Sequence, residues 1–401
     1  MKDKRLLIIF LTVFIDLVGF GIIIPMNPYL AEAYGASPLQ VGLLMSVYSL
    51  MQFIFSPVWG QWSDRIGRRP IILISLLGAS LAHLGFAFAG TFWGLVIARA
   101  LAGLFGGNLS TAMAYIADIT SEKDRSKGMG MIGAAFGLGF ILGPSMGGLF
   151  ADLGKSLGSA PPLGQSFPAV VASLICLTNF FFALKWLPES RKAGTTVRET
   201  GVRFRRITQA LSTPLLNSLM LLLFLNTFAL AHVEATLFLY VQDHFQWSLS
   251  QASFGFAYIG VIMVITQGYL IRKYLPKFGE RKVLATGLLL STLGFALSSW
   301  ANHVSQLAIG VTLLGLGNGL ANPSINGSIS LVSGKDVQGN NLGVSQSLSS
   351  MARILGPPTG GALYQHVGSW SPFAGAAVVT LVGWWLAWGI RDRMPEGGRA
   401  H

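Results

Sequence analysis

The octapeptide ILGPSMGG, residues 141–148, returns 213 positions later as ILGPPTGG, residues 354–361, each time late in a long apolar stretch. Its surroundings come with it. Lys123-Asp124 answers to Lys335-Asp336, Gly103 and Gly107 to Gly315 and Gly319, and Gly130 to Gly343. A chance match would not bring its neighbours at nearly the same offset, so the chain reads as a duplication that must fold into two related halves. Paired apolar halves predict a membrane transporter whose site lies where the repeats meet.

Only 11% of the 401 residues are charged and 52% are hydrophobic, which excludes a soluble globular chain. Crossing about 30 Å of hydrocarbon takes about 20 apolar residues per helix, and charge-poor windows of that length recur throughout. They predict twelve spans: 6–31, 39–61, 71–90, 92–117, 128–151, 167–187, 215–241, 250–271, 283–301, 305–332, 341–364 and 372–390. The expected fold is therefore an all-α membrane protein, twelve transmembrane helices in two six-helix bundles related by a pseudo-two-fold. The bundles would comprise residues 1–187 and 214–401. A polar cytoplasmic linker, residues 188–213, would join them; within it Val202, Ile207 and Leu211 could line one side of a short helix on the inner membrane surface.

Basic loops stay on the cytoplasmic side, so the Lys and Arg positions set the orientation. With both termini inside, the outer loops hold only Lys155, and Arg99 and Arg353 lie within spans. The net charge of +12 then reflects topology and contact with anionic membrane lipids, not nucleic-acid binding. MKDKR precedes an apolar run too long for a signal peptide and lacking a clear cleavage site, which reads as an uncleaved first helix in a cell membrane, most simply a bacterial inner membrane. The single Cys176 excludes an intrachain disulfide, and no cysteine cluster suggests a metal. We expect no cofactor, no metal and a monomer.

The loop after span 2 reads GQWSDRIGRRP, residues 60–70. Gly60 and Gly67 permit a tight turn, while Asp64, Arg65, Arg68 and Arg69 place alternating charges at the inner rim. This loop resembles the cytoplasmic signature of the major facilitator superfamily. The resemblance implies a gate in which Asp64 caps a helix of the opposite half and Arg68 pairs with an acid ending span 4, where Asp118 is placed. The second-half counterpart, residues 268–282, has no acid matching Asp64, so the inner latch should be stronger in the first half.

Span 5 carries GAAFGLGFILGPSMGG, residues 133–148, similar to the antiporter motif of that family. Gly139, Gly143 and Gly147 fall on one helix face and admit a close neighbour, and Pro144 bends the helix; Gly148 completes the motif, and Gly356 and Pro357 repeat it in span 11. DLVGFGIIIP at 16–25, RALAGLFGG at 99–107 and LPES at 187–190 resemble the drug/proton antiporter branch, close to tetracycline efflux proteins. Those exporters have a carboxylate in span 3 where this chain has Ala82 followed by His83, and an acid in span 9 where none occurs here. Both departures point away from tetracycline itself as cargo.

Charged side chains within a bilayer are costly and mark function. Four stand out: Asp16, Arg99, Glu234 and Arg353. Asp16 lies about 15 Å along its helix, near mid-membrane, and Arg99 is expected beside it. Glu234 and Arg353, on spans 7 and 11, would form the second pair. Protonation of such an acid depends on whether it is desolvated or paired with Arg, which suits a proton carrier. A static ion pair is the plainer alternative for each.

The expected activity is proton-coupled efflux of lipophilic or amphipathic small molecules by alternating access. Phe20, Tyr48, Phe136 and Phe228 would give the cavity an apolar lining, with Gln52, Asn108, Asn226, Asn318, Asn322, Gln346 and His232 as sparse polar contacts. An alternative keeps the transporter but gives it an organic anion or lipid as cargo, imported or flipped, held by Arg99 and Arg353. A membrane enzyme or receptor is the remote alternative, since no HExxH, Ser-His-Asp grouping or phosphate loop is evident.

Overall fold

The computed structural model describes residues 2–120, 122–190, 213–333 and 338–394, and every element among them is helical. The predicted inner-surface helix around Val202, Ile207 and Leu211 lies outside the described residues, as does most of the linker. In the first half the helices are α1 (Lys2–Ile23), α2 (Met26–Ala33), α3 (Pro38–Ile66), α4 (Arg68–Ala87), α5 (Phe92–Gly106), α6 (Leu109–Ile119), α7 (Glu122–Leu157) and α8 (Phe167–Trp186). The second half holds α9 (Pro214–Phe245), α10 (Leu249–Ile265), α11 (Ile271–Ser299), α12 (Val304–Val332), α13 (Gln338–His366) and α14 (Ser371–Gly389).

Two of the apolar stretches are broken. Pro25, which has no N–H to donate, separates α1 from α2, and Gly107 and Asn108 separate α5 from α6. A π-turn, Thr266–Leu270, joins α10 to α11. Ten described stretches are long and apolar enough to cross a membrane, against the twelve expected. The difference has two sources. Leu249–Ser299 counts as one 51-residue stretch although Gly279, at φ 72°, breaks it, and α13 is rich in Ser, Asn and Gln. Gly67 has φ 106° at the corresponding turn of the first half, a left-handed conformation that a Cβ would strain. The repeat seen in sequence is thus also a repeat of backbone geometry.

Each half buries large apolar side chains, Ile72, Leu76 and Tyr115 in the first and Leu222, Leu288 and Ile325 in the second. Apolar side chains are also exposed, with Trp93, Ile97 and Leu101 forming one stripe on α5, and buried polar side chains bridge helices. Asn179 Nδ2 donates to the Thr12 carbonyl at 2.8 Å, and Ser80 Oγ to the Ser173 carbonyl at 2.9 Å. Lipid tails give helices no hydrophobic reason to associate, so such hydrogen bonds and close packing hold them.

The chain forms two compact units. One comprises Met1–Ala36, Val47–Arg198 and Trp247–Tyr258, and the other Ser37–Ser46, Glu199–Gln246 and Ile259–His401. In the first, Tyr29 Oη donates to the Trp247 carbonyl at 2.7 Å and Gly148 packs on Ser250 and Ser253. In the second, Ser46 Oγ donates to the Ile354 carbonyl at 2.6 Å, and Gly42 lies against the Pro357 carbonyl.

Candidate functional site

In the first unit, the side chain of Asn108 lies within interaction range of the Asp16 carboxyl. Asn at the start of a helix ordinarily caps it, but Asn108 is itself helical (φ −67°, ψ −14°) and makes no side-chain cap bond to α6. The break between α5 and α6 therefore frees its amide for the acid on α1. Arg99 is buried on α5, its guanidinium 4.5 Å from the centroid of the Tyr48 ring and 5.7 Å from that of Phe20. Asn108 is thus one polar neighbour of Asp16, while Arg99 packs on aromatic faces with buried His83 nearby. Phe20 and Tyr48 are 4.7 Å apart, and Gln52 Nε2 donates to the Gly106 carbonyl at 2.9 Å. Phe136 stacks on Phe140, whose ring meets that of Phe20.

In the second unit a neutral residue stands at the position equivalent to Asp16. Asn226 Nδ2 donates to Asn318 Oδ1 at 2.9 Å, both side chains buried. Gly143 of α7 packs on Gly21 of α1, and Gly356 of α13 on Ala231 of α9; that shared register puts Asn226 where the first half has Asp16. Glu234, expected as the counterpart acid, therefore lies two turns beyond the equivalent position. Glu234 and Arg353 are both half-buried. His232 Nδ1 is 3.0 Å from Thr359 Oγ1, and its ring is 5.5 Å from that of Phe228. Asn322 Oδ1 accepts from Asn326 at 2.8 Å, while Gln346 is exposed on α13.

The glycine rows explain how these helices approach so closely. A Cβ on Gly143 would lie 2.6 Å from the Gly21 Cα, on Gly139 2.8 Å from the Leu17 Cβ, and on Gly147 2.8 Å from the Ile22 carbonyl oxygen. Only glycine fits there. In the second half, Gly360 meets the His232 carbonyl oxygen in the same way.

At the end of α3, Arg68 gathers the charges of the GQWSDRIGRRP loop. Its Nη1 lies 2.7 Å from Asp64 Oδ1 and 2.6 Å from Ser63 Oγ, and its Nε 3.1 Å from Asp118 Oδ2. Arg65 is exposed, and Gly60 is partly buried near Ser110. In the second half Arg281 pairs with Asp392 at 2.9 Å, a more exposed pair, at 35% and 74% against 10% and 31% for Arg68 and Asp64.

Sequence reasoning missed Glu189. Gly67 precedes α4 and has no side chain to cap it, so the Glu189 carboxylate serves instead, accepting from the Arg68 and Arg69 backbone N–H groups at 2.9 and 3.1 Å. Ser190 Oγ donates to Asp118 at 3.1 Å, tying the same segment to the Arg68 cluster. The acid of LPES was the available signal, but nothing in sequence says which helix start it reaches. Glu189→Ala should cost about 1 kcal/mol of stability, read as a lower unfolding midpoint in detergent. An unchanged midpoint would show that the cap contributes nothing.

The description Major Facilitator Superfamily matches residues 9–278 and 274–400. The class B tetracycline resistance protein of Escherichia coli is 30% identical over 357 residues, 88% of this chain and 86% of that protein. Multidrug resistance protein 1 of Bacillus subtilis (strain 168) is 29% identical over 384 residues, 95% of each. The crystal structure of the human organic anion transporter MFSD10 (TETRAN) matches with a TM-score of 0.72 at 25% identity, covering 96% of this chain and 99% of that one. A bacterial homologue of the human lysosomal transporter Spinster shares the fold, with a TM-score of 0.81 at 14% identity over 97% of this chain and 96% of that one.

Proposed function

The chain belongs to the major facilitator superfamily, and we propose that it exports lipophilic or amphipathic small molecules by proton antiport, with Asp16 as the proton carrier. It is a multi-pass membrane transporter and not an enzyme. The observation that supports the assignment of Asp16 is the placement of the Asn108 side chain beside it, at the break between α5 and α6. An amide can serve the charged carboxylate as donor and the neutral carboxyl as acceptor, so the pair holds together in both protonation states. In the second half the position of Asp16 is held by Asn226, which hydrogen-bonds Asn318 and cannot ionise.

In this reading the protein works by alternating access, and Asp16 takes a proton from outside and releases it inside. Glu234 and Arg353 form a second coupling element on α9 and α13. Gly139, Gly143, Pro144, Gly147 and Gly148, with Gly356 and Pro357, serve as the hinge. Asp64, Arg65, Arg68 and Asp118 latch the inner rim, with Gly60 and Gly67 allowing the turn, and both termini face the cytoplasm of a bacterial inner membrane. The protein works as a monomer. Phe20, Tyr48 and Phe136 from the first half, and Phe228, Asn322 and Gln346 from the second, contribute to the cargo surface.

A second reading has an observation in its favour. Arg99 presents a buried cation on two aromatic rings, and one structural relative is described as an organic anion transporter. Proteoliposomes under an imposed pH gradient distinguish the two. Transport of lipophilic cations that survives Arg99→Ala is expected. Transport of organic anions alone, lost in Arg99→Ala, would replace efflux of lipophilic compounds with anion transport.

A further inference from the structure

We propose that a hollow at the inner ends of α4 and α8 binds the phosphate of an anionic phospholipid of the inner leaflet. The hollow has a volume of about 310 Å³ and is lined by Arg69, Lys185, Trp186, Leu187, Pro188 and Glu189, all within one compact unit. The proposal rests on the orientation read from the basic loops and is independent of Asp16.

The chemistry of the wall selects a phosphate. Arg69 is held in place by Nη2, which donates to the Leu184 carbonyl at 2.7 Å. Its Nε is buried and has no hydrogen-bond partner among the described residues. A buried guanidinium donor left unmade is costly, and an oxygen-rich anion would satisfy it. The Lys185 Nζ lies 4.9 Å from the centroid of the Trp186 ring, and Lys185 has no acidic partner among the described residues. Glu189 is the acid on the wall. Its carboxylate already accepts from the backbone N–H groups of Arg68, Arg69 and Ser190, at 2.9, 3.1 and 3.0 Å, so its charge is compensated by the start of α4. The charge left over in the hollow is positive.

The flanks select a lipid over a soluble phosphate. Ile74 of α4 and Phe181 and Leu184 of α8 are exposed large apolar side chains on the two helices that supply Arg69 and Lys185. Trp186, half exposed at the end of α8, has the amphipathic ring found at headgroup level. Basic pockets between helices on the cytoplasmic side are where anionic headgroups bind.

The test is native mass spectrometry of the purified full-length protein with phosphatidylglycerol, phosphatidylcholine or glycerol 3-phosphate. Phosphatidylglycerol should be retained in preference to the other two. Arg69→Gln, which keeps a donor for the Leu184 carbonyl, and Lys185→Gln should each weaken its retention about five-fold, while Lys155→Gln in the last turn of α7 should not. Equal retention of both phospholipids, or Arg69→Gln and Lys185→Gln variants that match wild type, would overturn the site. Equal binding of glycerol 3-phosphate would overturn the lipid as its occupant. In a Cys176→Ser background, Lys185→Cys should resist an impermeant thiol reagent applied to intact cells. Labelling from outside would overturn the inner-leaflet placement and the orientation behind it, while leaving phosphate binding intact.

Discussion

Asp16→Asn should abolish the proton release that cargo binding triggers in detergent, while leaving cargo affinity close to wild type. The substitution keeps the shape of the side chain and its ability to bond Asn108, but it removes the group that can exchange a proton. A purely structural Asp16 predicts the opposite pattern, because an amide pair works well as packing, as Asn226 with Asn318 shows in the second half. Asn226→Ala should accordingly leave proton release unaltered. Proton release that persists at wild-type stoichiometry in Asp16→Asn would remove Asp16 from the coupling mechanism. Loss of release only in Glu234→Gln would move the coupling to α9.

Gly143→Ala should destabilise the protein by about 1–3 kcal/mol and stop transport. The added methyl would sit 2.6 Å from the Gly21 Cα, 2.7 Å from its carbonyl carbon and 2.9 Å from the Val18 carbonyl oxygen. All three are backbone atoms, so no rotamer change relieves the clash and α1 must move away from α7. That shift would displace Asp16, which lies on the same helix. Gly133, on α7 as well, has open space around its Cβ position, and Gly133→Ala should be neutral or slightly stabilising because Ala favours the helix. Thermal unfolding of both variants in detergent checks the pair. Equal midpoints would mean that the close crossing of α1 and α7 is not needed for the fold.

The helices were legible in sequence because spanning hydrocarbon imposes a length and an apolar composition that few other constraints imitate. Each predicted span overlaps a helix, including the 36-residue α7, whose glycine row also announced a close neighbour. What could not be read was rotation and partner choice. Asn108 looks like a cap, yet its amide reaches Asp16 because α5 ends one residue before Gly107. Glu234 attracted attention as a charge, but the register of α9 on α13 assigns the position of Asp16 to Asn226. Glu189 lies 121 residues from the N–H of Arg68 that it caps, a distance over which no local pattern carries information. Spacing along a chain sets depth in the membrane, whereas side-chain partners follow from packing between helices.

The central claim is exchange of protons for cargo, and vesicles containing the purified protein and a pH-sensitive dye inside test it most directly. With an imposed pH gradient, adding a transported lipophilic compound should collapse the gradient in wild type and leave it standing in Asp16→Asn. Cargo movement at the same rate with or without the gradient, and no change in the dye signal, would contradict the account.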